Sequence, residues 1–431
     1  MERFWIACAA VVAVAGCNPK SLRPGYCHTS LDCTIGKTCN PKTLMCWDMD
    51  ASTDTDGGDA RDGGDAKDAE VAPPPRCPQT INCADGGYDG SAGVCAIDAG
   101  VCVECLEDGD CASKPKTPIC EDQLCRACKA DSECKAGPGI CMFHQDGHCA
   151  TDDETIYVES KTGCLSAPST TGGTAAAPFC KLQEALSAIG TRRLLLVRGS
   201  GDVGNTLIQN VSGGQISIVG PGTRITAAVG SPGLKVTGSD VYVRGLKILG
   251  DSGTDIGIVA DSGATLRLDS VTVENMSKGG LRATGSGYDV VNSLFDGNGG
   301  TIDDGGRSIG GAFLGASPNG LPARFAFNTV VANNEKGVIC ETTSQTIQAS
   351  LLASNLGGGT TPDVSNCILS LSKTTADGAP NLTTADPKYR LTATSPCRNA
   401  VTSAPANAPD HDIDGTKRPQ ESVFDCGADE F

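Results

Sequence analysis

Apolar positions change character along the chain. A single unbroken apolar run, Trp5 to Ala15, lies near its start. The cysteine-rich stretch that follows, to Cys149, holds too few apolar residues per repeat for a core. From Thr155 onward short apolar groups recur among Gly, Ser, Thr and Asn. Pro178 to Leu186 places Leu182, Ala185, Leu186 and Ile189 at helical spacing, which predicts one amphipathic helix of about two turns. The apolar strand Leu194 to Val197 comes next. Four later segments share the form [ST]-[VL]-x-x-x-N: Ser270 to Asn275, Ser293 to Asn298, Thr329 to Asn334 and Ser350 to Asn355. Gly245 to Gly250 aligns as a fifth, and the starts are 25, 23, 36 and 21 residues apart.

That period predicts a stacked solenoid. Two residues before each start stand Val243, Leu268, Val291, Phe327 and Gln348; one residue after stand Leu246, Val271, Leu294, Val330 and Leu351. These positions are apolar in nine of ten cases, as a core shared between rungs requires. Recurring Asn suits a turn ladder, because its side chain satisfies local backbone and tolerates left-handed φ. The fold expected is all-β, a parallel β-helix, with a Gly-rich loop at about 299–322 projecting from one coil. A leucine-rich repeat would need more Leu per turn, and a β-sandwich would not keep this phase.

The cysteines form a second repeat. Sixteen of the 24 fall into four units: Cys27-Cys33-Cys39-Cys46, Cys77-Cys83-Cys95-Cys102, Cys105-Cys111-Cys120-Cys125 and Cys128-Cys134-Cys141-Cys149. Each opens C-x5-C, with Asp32, Asn82, Asp110 or Glu133 before the second Cys. Two disulfides per unit would supply the stability that burial cannot. Cys102-x2-Cys105 and Cys125-x2-Cys128, with His144 and His148 nearby, also suit zinc, but tiling of adjacent units explains both pairs without metal. Six further cysteines are expected to pair locally, Cys164 with Cys180, Cys340 with Cys367 and Cys397 with Cys426.

Charge and the first residues add compartment. With 34 Lys and Arg against 51 Asp and Glu the formal charge is −17, which argues against a nucleic-acid binder, whose footprint is a basic face. Eleven apolar residues are too few to span a bilayer, which takes about 20. The run ends in Val14-Ala15-Gly16-Cys17, which resembles the bacterial lipobox. The resemblance implies cleavage before Cys17, a lipid on its sulfur and a place at the outer membrane or cell surface of a Gram-negative bacterium. Between the first and second cysteine units, 47–76 is acidic and rich in Gly and Pro, a solvated tether.

The cysteine units resemble the repeats that decorate secreted bacterial lipoproteins. Phe179 to Leu186 looks like the helical cap of right-handed parallel β-helix domains of the pectate-lyase-like superfamily. Asp386-Pro387, Ser395-Pro396-Cys397, Asp412-Ile413-Asp414-Gly415, Arg418-Pro419 and Gly427 to Phe431 look like the close of bacterial surface β-helix proteins with varied anchors. The domains expected are a signal peptide at 1–16, the lipid-bearing Cys17 with the first cysteine unit at 17–46, the linker at 47–76, three cysteine units at 77–150 and a right-handed β-helix at 151–431.

The resemblance implies that an enzyme on this scaffold would use an Arg or Lys base beside a calcium-binding acidic cluster, or two or three converging Asp. Rung alignment puts Arg244, Asp269, Asn292 and Asn328 in one column, and Asp303 and Asp304 adjoin in the inserted loop. Arg244, Asp269, Asp303 and Asp304 are therefore the weak catalytic candidates; a polar ladder and a loop turn are the plainer readings. No His lies between Cys149 and His411, which removes the commonest general base. Asp410, Asp412, Asp414 and Glu421 match the D-x-D-x-D-G-x5-E calcium-loop spacing. Pro405, Pro409 and Pro419 exclude flanking helices, so either a helix-free calcium loop or a pin for the terminal coil remains. The balance favours a lipid-anchored surface protein whose β-helix binds glycan or extracellular matrix. The alternative is a polysaccharide lyase or glycoside hydrolase.

Overall fold

The computed structural model describes residues 37–40, 45–48, 94–96 and 101–431, apart from 143, 170, 252, 304, 319, 357–362, 384–388, 404 and 406. The chain divides into two units, 1–106 and 107–431. The second therefore begins inside the third cysteine repeat. In the first, Lys37–Asn40 pairs antiparallel with Met45–Asp48, and Val94–Ala96 with Val101–Val103. Cys39 lies opposite Cys46, and Cys95 opposite Cys102.

The second unit is a parallel β-solenoid. Its coils repeat strand, strand, strand, and each strand pairs in parallel with its counterparts one coil before and after. Three sheets result. The first has nine strands, from Thr155–Glu159 to Ile368–Ser370; the second has seven, from Arg224–Thr226 to Lys373–Thr374; the third has seven, from Thr206–Gln209 to Val364–Ser365. One coil cannot bury its inner face alone, but stacked coils share one core. Its spine in the first sheet runs Ile156, Leu195, Ile218, Val243, Leu268, Val290, Phe325 and Ile347, all buried. The helix Leu182–Ser187 closes the first coils with Leu182 and Ala185 fully buried.

Strand register shifts the sequence alignment at the later rungs. The spine takes Val290, Phe325 and Ile347, where the repeat motif placed Val291, Phe327 and Gln348. The cause is the turn between the first and second sheets. Ser270, Asn292, Phe327 and Ala349 occupy it in succession, at φ of 54°, 50°, 55° and 44°. Backbone geometry is what this position shares, so side-chain type misaligns it by one or two residues. Asparagine behaves in the same way. Asn275 is a left-handed turn residue, whereas the buried ladder at the next position is Asn298, Asn333 and Asn355. Asn298 Nδ2 donates to Asn333 Oδ1 at 3.1 Å, and Asn333 Nδ2 to Asn355 Oδ1 at 2.7 Å. The same oxygens accept the backbone N–H of the coil before, Asn298 at 2.9 Å and Asn333 at 3.2 Å.

Two decorations pack on the outside of the solenoid, one on the first sheet and one where the first sheet turns into the second. The fourth cysteine unit packs Ile140, Met142 and Ala150 on Tyr157, Leu194, Leu196 and Val219. The segment after the last coil lays Leu391, Cys397, Val401 and Cys426 over Val291, Ala326, Phe327 and Ala349. The inserted 299–322 stretch is more than a loop, because it contains the third-sheet strand Ala312–Leu314.

Candidate functional site

The charged groups on the outer face of the first sheet meet beneath these decorations. Arg244 ends the strand Asp240–Arg244, and Asp269, its register partner, ends Thr265–Asp269. Side chains alternate along a strand, so both point away from the core, onto the outer face of the sheet. Asp131, from the fourth cysteine unit, receives two hydrogen bonds from Arg244 Nη2, at 2.6 and 2.8 Å. Its Oδ1 also accepts the Cys141 N–H at 2.9 Å, so one carboxylate ties the cysteine unit both to itself and to the solenoid.

Asp269 is 2 % exposed and filled with donors. Tyr242 Oη donates at 3.1 Å, Asn292 Nδ2 at 3.1 Å and Ser270 Oγ at 3.2 Å. His411 Nε2 lies 3.1 Å from Oδ2, and its Nδ1 lies 2.8 Å from Asp410 Oδ1. Burial alone would keep the Asp269 carboxyl neutral, but the hydrogen bonds from His411 and Asn292 and the nearby charges hold it down at about 2. Burial likewise opposes the imidazolium, yet the two carboxylates raise His411 to about 10. The His144 ring lies tilted by 44° against Tyr242 at 4.1 Å between centroids, and burial lowers its pKa to about 4. Beside the cluster, a cleft of about 560 Å³ is bounded by Asp131, Arg244, Ser270, Asp410, His411 and Lys417, among others.

Arg244 and Asp269 are register neighbours, as the rung alignment predicts. The column then continues with Val291 and Ala326; Asn292 turns back onto Asp269, and Asn328 donates instead to the Val290 carbonyl at 2.8 Å. Asp131 and Tyr242 carried no signal of their own, and His144, a zinc candidate by its spacing, lies against Tyr242 instead. His411 carried one, as an imidazole between two aspartates, but its partner lies 142 residues away. A histidine therefore does stand at the cluster, supplied from beyond the last coil.

The other candidates are engaged elsewhere. Asp303 is a loop pin: its side chain is fully buried, accepts the Gly305 and Arg307 N–H groups at 2.8 Å, and faces Arg282 at 3.1 Å and Arg307 at 3.3 Å. Asp304, like Cys17, lies outside the described residues. Asp412 accepts the Asp414 and Thr416 N–H groups at 2.9 and 2.8 Å, Asp414 meets Arg390, and Glu421 meets Arg398 and Asn399. Arg418 is buried and donates to Glu430 at 2.7 Å and to the Gly427 carbonyl at 2.8 Å. Those contacts tie the motif into the terminal segment. Among the described residues its carboxylates do not converge; the groups that bring three ligand atoms together are made of cysteines.

Those cysteines are oxidised. Disulfides join Cys111 to Cys125, Cys128 to Cys141 and Cys134 to Cys149, which leaves no thiolate among these for zinc. Cys105 and Cys120 are disulfide-bonded too. Cys164–Cys180, Cys340–Cys367 and Cys397–Cys426 staple the solenoid and its terminal segment. Cys27, Cys33, Cys77 and Cys83 lie outside the described residues.

Farther along the same face, a groove of about 610 Å³ opens between residues 316–323 and the strands Ala323–Ala326 and Thr346–Gln348. Arg324, Thr342, Ser344, Thr346 and Gln348 line it. Arg324 Nε stands 3.5 Å from Asp289.

No family model matches the chain, and no curated protein matches it. The crystal structure of pectate lyase Pel9A is similar at a TM-score of 0.33 and 15 % identity, over 64 % of this chain and 96 % of that one. The solenoid assignment stands on its own strand register.

Proposed function

We propose that the chain is a lipid-anchored surface protein that binds polysaccharide or extracellular matrix along the flank of its solenoid without cleaving it. The observation that carries this reading is the internal neutralisation of the Arg244–Asp269 cluster. General acid–base catalysis needs a group that titrates near the working pH and reaches the substrate. Asp269 is buried and ionised down to about 2, His411 is protonated up to about 10, and Arg244 is committed to Asp131. The groove at Arg324 offers one cation and several neutral hydroxyl and amide groups, a donor and acceptor set suited to sugar hydroxyls and a carboxylate. The lipobox-like sequence before Cys17 and the acidic linker supply the anchor and tether in this reading.

Equilibrium binding on a glycan array, run beside reducing-end and unsaturated-product assays, tests it. We expect binding without product, and roughly tenfold weaker binding for Arg324→Ala, the loss of about one charge-assisted hydrogen bond. Product that disappears in Arg244→Ala would replace this reading with a lyase or hydrolase. Incorporation of labelled palmitate, lost in Cys17→Ser, tests the anchor separately.

A further inference from the structure

The groove at Arg324 has little charge to spare. Along the outer face of the first sheet, Arg267, Asp289 and Arg324 are register partners on three successive coils. Arg267 pairs with Asp240 on the coil before it, and Arg324 Nε faces Asp289 at 3.5 Å. Glu341, next to the lining residue Thr342, accepts the Ala316 N–H at 2.7 Å and adds a second carboxylate at the margin. Arg324 is the one charged residue in the lining; its other polar groups are neutral hydroxyls and amides.

Asp289 is the group left short of partners. Its Oδ1 is buried with no hydrogen-bond partner among the described residues, and 3.5 Å to Arg324 is an ion pair rather than a hydrogen bond. Burial pushes its pKa up, helped by the negative charge of Asp269, while Arg324 and Arg267 hold it down. An unfilled, poorly solvated acceptor of this kind is rare in a folded chain and calls for a donor. The side chain is 21 % exposed and that of Arg324 23 %, so a donor can arrive from solvent beside the guanidinium.

We propose that Asp289 makes this groove selective for neutral over acidic saccharides. The proposal rests on the saccharide-binding reading above and narrows it. A sugar hydroxyl both donates and accepts, so neighbouring hydroxyls serve Asp289 and Arg324 together. A uronate carboxylate only accepts. It would compete with Asp289 for Arg324 and set a second negative charge beside an unfilled one, a repulsive element of the sort that builds specificity.

An array of hexuronate oligosaccharides, each printed beside its carboxyl-reduced neutral counterpart, tests this with wild type and Asp289→Asn. The amide keeps an acceptor and removes the charge. We expect wild type to bind the neutral members at least tenfold more tightly, and Asp289→Asn to narrow that ratio at least fivefold, chiefly by gaining on the uronates. Wild-type affinity for the neutral members should hold steady between about 0.05 and 0.5 M salt, whereas binding through a ligand charge would weaken. That series needs no variant, so it decides the matter even if Asp289→Asn fails to fold. A wild-type preference for uronates, a salt-sensitive neutral affinity, or a ratio unchanged in a folded Asp289→Asn overturns the proposal and leaves saccharide binding standing. An array on which nothing binds overturns both.

Discussion

At the scale of single residues, the asparagine ladder shows what a side chain does when its backbone position is fixed. Asn333 gives its amide to Asn355 and to the Phe295 carbonyl, and its oxygen accepts from Asn298. Asn334, one residue on, is exposed, and its side chain donates to the loop carbonyls of Gly297 and Gly299. Truncating Asn333 strands several buried donors and acceptors, each worth about 1–3 kcal/mol when left unmade. Asn333→Ala should therefore destabilise the protein by about 3 kcal/mol and Asn334→Ala by less than about 1; chemical denaturation of the two variants decides it. The motif pointed to Asn334 instead. The Asn signal was legible, but its register was not, because the turn before it accepts Ser, Asn, Phe or Ala at positive φ. Phe327 holds that position while its ring packs 6.0 Å from Phe424. A tertiary contact thus chose a residue that local turn chemistry would not.

At the scale of the strand and coil, glycine content has a second cause besides turns. Gly233, Gly257, Gly280, Gly311 and Gly337 are register partners at the start of the third-sheet strands. None needs unusual φ; what they lack is room. A Cβ on Gly280 would stand 2.4 Å from the Gly311 carbonyl oxygen and 2.9 Å from the Phe295 ring. At Gly311 it would meet Val330 at 2.3 Å and the Gly337 oxygen at 2.5 Å. Each coil can bend from the second sheet into the third only if the backbone itself fills this corner. Gly280→Ala should cost about 3 kcal/mol or more, since adjoining coils must separate. Gly263→Ala meets nothing within 4 Å and bears only its φ of +76°, a penalty of about 1 kcal/mol. Comparable losses in urea unfolding of the two variants would show that the corner yields. Composition made the glycines conspicuous, and turns explained many of them. The ladder stayed hidden because spacing between its members follows loop length, 31 residues from Gly280 to Gly311 but 24 from Gly233 to Gly257.

At the scale of the molecule, the cluster at Asp269 is where sequence-distant parts of the 107–431 unit are held together. The cysteine unit enters through Asp131 and His144, the solenoid gives Tyr242, Arg244, Asp269 and Asn292, and the terminal segment gives Asp410 and His411. The solenoid itself was legible from a period of about 22 to 25, because stacking repeats the same demand on every coil. Nothing local announces a contact spanning 142 residues, and no stalk-like repeat announces that its last unit will pack on a sheet. This convergence makes stability depend on pH in a particular sense. An imidazole titrates near 6.5 when unfolded, and Asp269 and Asp410 raise His411 to about 10 against the opposing effect of burial. A raised pKa means that the folded state binds the proton more tightly, so its contribution is complete below about 6.5. It fades as pH climbs toward 10. Asp269 stays ionised across this window, as does Arg244, which faces it; Tyr242 is pushed further from ionisation by burial. Comparing wild type with His411→Gln at pH 6, 8 and 10 cancels the general repulsion within a chain of formal charge −17. The difference in unfolding free energy should be on the order of 2 kcal/mol at pH 6 and shrink steadily toward pH 10. A difference that is flat, or that grows with pH, would mean that His411 holds the terminal segment by packing alone.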